Sequence, residues 1–157
     1  MENDKEIETY NNGQYEGEFK NNKRDGFGKY TWNNGSTYEG QFKNDKFDGK
    51  GKFTWSNGDI YEGEFKNGIK EGKGKYIYAS KSIYDGDFLN GKREGKGIFY
   101  FKSGNRYEGD FKNDKREGKG ITYYKNGDRE MGDYSNDKKN GKHIILHGNG
   151  TITEKEY

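Results

Sequence analysis

The chain is 157 residues long with a formal net charge of +2, and 36% of its residues are charged, 26% hydrophobic and 17% aromatic. With two leucines, ten isoleucines, no valine and ten phenylalanines it has no means of building a conventional aliphatic core of helix packed on sheet; such aliphatic poverty signals disorder unless other apolar groups take over. Cysteine is absent, which excludes disulfides, thiolate metal sites and cysteine nucleophiles, and no run of about 18 apolar residues could span a membrane as a helix.

In chain order, the opening Met-Glu-Asn-Asp-Lys-Glu lacks the apolar stretch of a signal peptide, so a cytoplasmic location is expected. Thr9-Tyr10-Asn11-Asn12-Gly13 then reads as the second half of an incomplete repeat, because it resembles Thr31-Trp32-Asn33-Asn34-Gly35. From Tyr15 onward a 23-residue pattern recurs without insertion: Tyr15-Glu-Gly-Glu-Phe19, Tyr38-Glu-Gly-Gln-Phe42, Tyr61-Glu-Gly-Glu-Phe65, Tyr84-Asp-Gly-Asp-Phe88 and Tyr107-Glu-Gly-Asp-Phe111. A degenerate copy follows at Glu130-Met-Gly-Asp-Tyr134, and Thr153 to Tyr157 falls in the same phase. The expected organisation is one array over residues 1–157, with repeats starting at 15, 38, 61, 84, 107 and 130 and half-repeat caps at about 5–14 and 151–157.

Each repeat reads as a β-hairpin. Tyr15 to Phe19 alternates large and small with period two, as do Gly26, Gly28, Tyr30 and Trp32. Lys20 to Asp25 has turn composition, and Asn34-Gly35 is a hairpin signal leading into the next repeat. The fold class expected is all-β, an elongated, twisted single-layer antiparallel sheet of fourteen short strands. Pairing Phe19 with Gly26, Gly17 with Gly28 and Tyr15 with Tyr30 gives one face only aromatics and glycine. The other face matches charges across strands: Glu16 with Lys29, Glu39 with Lys52, Glu62 with Lys75, Glu64 with Lys73, Asp87 with Lys96 and Asp110 with Lys119. That face is expected to be a solvated surface.

The pattern Tyr-Glu-Gly-Glu-Phe-Lys-Asn-Gly-Lys-x-x-Gly-x-Gly is similar to the MORN repeat (membrane occupation and recognition nexus), and the resemblance covers residues 15 to about 150. It implies the same hairpin sheet, and it implies a scaffold, a membrane-associated module or an appendage of an enzyme. Where the family usually has Trp at the fifth position and His before the first loop glycine, this chain has Phe and Asp or Glu.

No catalytic group is expected. His143 and His147 stand four residues apart, about 13 Å in a strand, too far to share an ion, and read as partly exposed substitutions in a terminal repeat. The Gly-x-Gly pairs have no helix after them and recur, so they are structural rather than a phosphate loop. No cofactor, metal or nucleic acid is expected.

Two binding surfaces compete. In the first, glycine opposite glycine (Gly40/Gly51, Gly63/Gly74, Gly86/Gly97) floors a trough, walled by Phe42, Phe65 and Phe88 on one side and by Trp55, Tyr61, Tyr76 and Tyr84 on the other. The trough is about 13 Å wide and would take a helix or extended segment of a partner protein, within a cytoskeletal, ciliary or cortical assembly. The rings could alternatively fold over the glycines and fill it. Valine at Gly63 or Gly74 is expected to fit the strand while blocking such a trough. In the second, hairpin-loop cations bind anionic phospholipid and hold the chain at a membrane surface: Lys23, Arg24, Lys46, Lys70, Lys92, Arg93, Lys115, Arg116, Lys138 and Lys139. Oligomerisation through the edge strands is also open.

Overall fold

The computed structural model describes residues 5–157. All regular structure among them is antiparallel β-strand, and strand order follows chain order. The chain divides into two compact units, one ending at Ala79 and one running from Ser80 to Tyr157. The first unit contains β1 (Glu6–Tyr10), β2 (Gly13–Lys20), β3 (Lys23–Trp32), β4 (Thr37–Lys43), β5 (Lys46–Thr54), β6 (Ile60–Lys66) and β7 (Ile69–Ile77). The second contains β8 (Ile83–Leu89), β9 (Lys92–Tyr100), β10 (Arg106–Lys112), β11 (Lys115–Tyr123), β12 (Arg129–Ser135), β13 (Lys138–Leu146) and β14 (Ile152–Glu156). Each is a single layer with no second sheet or helix against it.

Two kinds of turn alternate. Inside each repeat the turn is tighter than the Lys20–Asp25 loop expected. Asn21 and Asn22 alone reverse the chain, both at positive φ (51° and 58°), as do Asn44–Asp45 and Asn113–Asp114 further on. Two consecutive left-handed residues make a type I′ turn, whose twist matches that of the strands it joins. Between repeats the turn is wider: Gly35 N–H donates to Trp32 O at 3.0 Å, with Gly35 at φ 88°. Lys81 fills that glycine's role at φ 76°, where a side chain is disfavoured. Lys81→Gly is therefore expected to stabilise the protein by up to about 1 kcal/mol in urea denaturation; a loss of stability would contradict it.

The register agrees with the alternation at Tyr15↔Tyr30, Gly17↔Gly28, Glu16↔Lys29, Glu39↔Lys52 and Glu62↔Lys75. It departs nearer the turn. A β-bulge follows Gly17, so Phe19 faces Arg24 and not Gly26, and the bulge recurs after Gly40, Gly63, Gly86 and Gly109. Glu64, Asp87 and Asp110 consequently do not face Lys73, Lys96 and Lys119 within their own hairpins. Glu64 faces Lys50, and Asp110 faces Lys96, in the preceding strand. The bulge leaves backbone N–H groups without ladder partners, and the side chain at this phase accepts one: Glu18 from Phe27 at 3.0 Å, Gln41 from Lys50 at 2.7 Å and Asp87 from Lys96 at 3.2 Å.

Turn side chains also bind repeats together. Asp25 accepts from Asn44 N–H at 3.2 Å and Asp48 from Asn67 at 3.1 Å; Glu94 and Glu117 do the same for Asn113 and Asn136 at 2.9 Å. These loop acids are thus hydrogen-bond acceptors for the next turn.

Candidate functional site

The glycine floor is covered. Tyr15, Tyr38, Tyr61, Tyr84 and Tyr107 have no exposed surface, and each ring lies down over the glycine pair of its own hairpin. A Cβ added at Gly51 would sit 2.3 Å from the Tyr38 hydroxyl oxygen, and one at Gly74 would sit 2.5 Å from that of Tyr61. The hydroxyls reach past the glycines and donate to backbone carbonyls three residues on: Tyr15 to Glu18 and Tyr61 to Glu64 at 2.9 Å, Tyr38 to Gln41 at 2.8 Å and Tyr84 to Asp87 at 2.9 Å. Burial pushes the Tyr15 hydroxyl up to about 12 and those of Tyr38, Tyr61, Tyr84 and Tyr107 further the same way, so all remain donors at neutral pH. Phe19, Phe42, Phe65, Phe88 and Phe111 meet these rings edge-on at centroid distances of 5.0–5.4 Å.

An open Gly-floored trough is thus corrected to a closed aromatic core. Gly40, Gly51, Gly63, Gly74, Gly86 and Gly97 lie under rings, and Phe42, Phe65, Tyr61 and Tyr84 are buried. Aromatic cover of facing glycines lets a single layer hide apolar area without a partner layer. Trp55 and Tyr76 remain half-exposed at the outer shoulder, stacked at 5.4 Å. They belong to a line of rings in the first unit: Tyr30–Trp32 at 4.6 Å, Trp32–Phe53 at 5.0 Å, Phe53–Trp55 at 4.4 Å and Tyr76–Tyr78 at 4.5 Å.

The basic residues grouped by the sequence separate onto two faces, because they occupy strand positions that alternate. Arg24, Lys70, Arg93, Arg116 and Lys139 turn onto the aromatic face. Arg24 lies 5.3 Å from the Tyr30 ring, Lys70 4.8 Å from Tyr76, Arg93 5.4 Å from Phe99 and Arg116 4.9 Å from Tyr134. Arg24, Arg93 and Arg116 also pair with Asp45, Asp114 and Asp137 of the following turn at 3.2–3.4 Å. Lys23, Lys92, Lys115 and Lys138 are exposed at the alternate strand positions, and Lys46, also exposed, borders a cleft over Tyr30, Trp32 and Phe47. A continuous ten-cation edge does not form.

One histidine is corrected too, while His147 is partly exposed as expected. His143 is fully buried, and its ring does the work of the missing tyrosine. The sixth repeat has Glu130 where the others have Tyr, and His143 where they have the second glycine of the pair. The imidazole lies over Gly132 and its Nε2 bonds Asp133 O at 2.8 Å, as the tyrosine hydroxyls bond their carbonyls. Glu130, only 2% exposed, accepts from Lys139 at 2.6 Å and Tyr124 at 2.5 Å. Burial alone would raise its carboxyl, but hydrogen bonds from Lys139, Tyr124 and Tyr157 hold it down at about 2. His147 Nδ1 lies 3.2 Å from Asp128 and its Nε2 2.9 Å from Thr153. Among the described residues no group of three or more His, Asp or Glu could hold a metal ion.

The cleft on the aromatic face, of about 380 Å³, is lined by Tyr30, Trp32, Phe47 and Arg24, and two further open grooves lie on the opposite face. In the first unit a groove of about 550 Å³ runs over Glu39, Lys52 and Glu62, as a charged surface should. In the second a groove of about 710 Å³ is floored by Ile121, Met131 and Ile144. The sequence reading missed this. The signal was there: positions 29, 52 and 75 are lysine, whereas 98, 121 and 144, in the same phase, are isoleucine.

The MORN repeat is matched at residues 15–37, 38–60, 61–83, 84–106, 107–129 and 131–142. The chain belongs to the MORN-repeat family. No curated protein matches it in sequence. Among solved structures it is similar to the TCP10 domain of Danio rerio CPAP, with TM-score 0.59 and 14% identity over 99% of this chain and 75% of that one. A likeness at that identity shows a shared sheet architecture. The TCP domain of Drosophila melanogaster SAS-4 (dCPAP), solved with a proline-rich motif of Ana2 (dSTIL), also matches, with TM-score 0.49 and 18% identity over 98% of this chain and 90% of that one.

Proposed function

We propose that this MORN-repeat array is a non-enzymatic scaffold that binds a helical or extended segment of a partner protein, within a cytoskeletal, ciliary or cortical assembly. The observation that carries the reading is the line of half-exposed, mutually stacked rings in the first unit, Trp32, Phe53, Trp55, Tyr76 and Tyr78, with Lys70 beside it. Stacked rings already rigid in the free protein lose little entropy on binding, and aromatic anchors dominate interface energetics. The buried tyrosines and phenylalanines beneath act as the support of this surface. Membrane tethering through cations is the weaker reading, because Arg24, Arg93 and Arg116 are already paired with Asp45, Asp114 and Asp137.

The test is selection of displayed peptides on the full chain, with Trp55→Ala as the variant. Trp55 is half-exposed and its loss leaves the buried row intact. Selected peptides are expected to lose about 2 kcal/mol or more of affinity, roughly thirtyfold, while the array still unfolds in one cooperative transition, at a somewhat lower temperature for the lost stacking on Phe53 and Tyr76. Undiminished binding would remove the aromatic shoulder from the interface. Salt-sensitive binding to anionic vesicles, unaffected by Trp55→Ala, would favour the tether instead.

A further inference from the structure

On the face opposite the aromatic rows, the second unit carries a surface that folding does not require. The register aligns Glu108, Ile121, Met131 and Ile144 on neighbouring strands β10 to β13. At about 4.8 Å per strand, the three apolar residues form an unbroken strip roughly 10 Å long. Met131 is 39% and Ile144 40% exposed. The corresponding first-unit row, Glu39, Lys52, Glu62 and Lys75, alternates in charge through direct pairs such as Glu39↔Lys52 and Lys52↔Glu62. The repeat therefore tolerates charge at these positions, and an apolar strip there gains nothing from a single-layer sheet with no second layer to bury it against.

Charge borders the strip on both sides. Lys119, two residues before Ile121 on β11, and Arg129, two residues before Met131 on β12, are both on the strip's face. Among the described residues neither makes an ion pair; Asp133 is opposite Lys119 in the register without pairing to it, and Arg129 only approaches the Tyr123 ring at 5.6 Å. A partner lying over the strip would meet apolar surface at the centre and, at each margin, a cation that makes no ion pair, with the carboxylates of Glu108 and Asp133 also on the groove.

We propose that the groove over β10 to β13 is a second docking site, for a protein segment that presents aliphatic side chains flanked by carboxylates. The aliphatic groups seat on Ile121, Met131 and Ile144, and the carboxylates meet Lys119 and Arg129. A cleft of about 710 Å³ matches one segment of chain rather than the broad plane of a bilayer. This site shares no residue with the aromatic shoulder of the first unit and does not depend on it.

The experiment selects random displayed peptides of about a dozen residues on the full chain and measures the enriched sequences by fluorescence polarisation. The decisive variant is Ile121→Lys/Met131→Glu/Ile144→Lys, which writes the first unit's charge row into the second. Enriched peptides combining aliphatic residues with Asp or Glu are expected, with a loss of about thirtyfold or more on the triple variant. Lys119→Glu/Arg129→Glu should weaken the same peptides about tenfold, and Trp55→Ala should leave them unchanged. Should the triple variant fail to fold, Met131→Lys, at an exposed residue, gives the same reading alone. Full-affinity binding by the triple variant overturns the proposal, as does enrichment of basic peptides or of none. A dimer that the triple variant dissolves, or anionic-vesicle binding that it abolishes, would put a second copy or a membrane there and overturn it equally.

Discussion

Gly63→Val is expected to unfold its hairpin instead of leaving a folded array with an obstructed surface. A Cβ at Gly63 would sit 2.6 Å from Gly74 Cα, 2.6 Å from the Tyr61 hydroxyl oxygen and 2.7 Å from Lys73 O. Two of these are backbone atoms of the paired strand, which cannot move without breaking the ladder. The loss should reach about 4 kcal/mol or more, at the severe end for single substitutions. Tyr61 separates ring from hydroxyl. Tyr61→Ala removes a side chain with no exposed surface and should cost about 3–5 kcal/mol. Tyr61→Phe keeps the ring but leaves Glu64 O without its donor, at about 1 kcal/mol. Urea denaturation of the three variants is the measurement. A Gly63→Val protein as stable as the parent would mean that the rings do not lie on the glycines.

The buried carboxylate of the sixth repeat should make the protein acid-sensitive. Glu130 is held down at about 2 in the folded chain, against 4.5 ordinarily, by Lys139, Tyr124 and Tyr157 acting against burial. A depressed carboxyl stabilises the fold above its unfolded value, and that stabilisation disappears as pH falls through the folded one. Stability should therefore decline between about pH 5 and pH 2. Because Lys139 is a quarter exposed and solvent screens the pair, the share due to Glu130 is about 2 kcal/mol rather than the full shift. Glu130→Gln should flatten that part of the profile. Lys139→Met should be worse at neutral pH, about 3 kcal/mol, since it strands a buried charge. Equal acid profiles for parent and Glu130→Gln would show that the carboxylate is not buried as described.

Much of the architecture was legible because the repeat displays it many times over. A strict 23-residue spacing, period-two alternation and Asn-Gly turns imply hairpins in series, and opposite charges at Glu16/Lys29 and Glu39/Lys52 reveal the register between glycines. The bulge was not legible. Its signal is one glycine, Gly26 at φ 105°, and alternation carries straight through it on paper. With the bulge went the partners of Phe19 and Glu64; the separation of Lys23 from Arg24 onto different faces followed from the tight Asn21–Asn22 turn, which makes both of them residues of β3.

Local sequence determines that Tyr15 to Phe19 and its copies are strands, which side of each strand is aromatic and where the chain turns, because each depends only on near neighbours. What the rings do was left to three dimensions. Composition allows Tyr61 either to stand as the wall of a trough or to lie over Gly63 and Gly74. The choice goes to lying down, because a single layer has nothing else to cover it and the hydroxyl finds the Glu64 carbonyl at the far side of the glycines. His143 shows the same dependence: alone it is an odd residue in a degenerate repeat, and only beside Glu130 and Gly132 does it become the ring that closes the row. Tertiary structure decided these points because a side chain's destination depends on which groups of another strand are there to receive it.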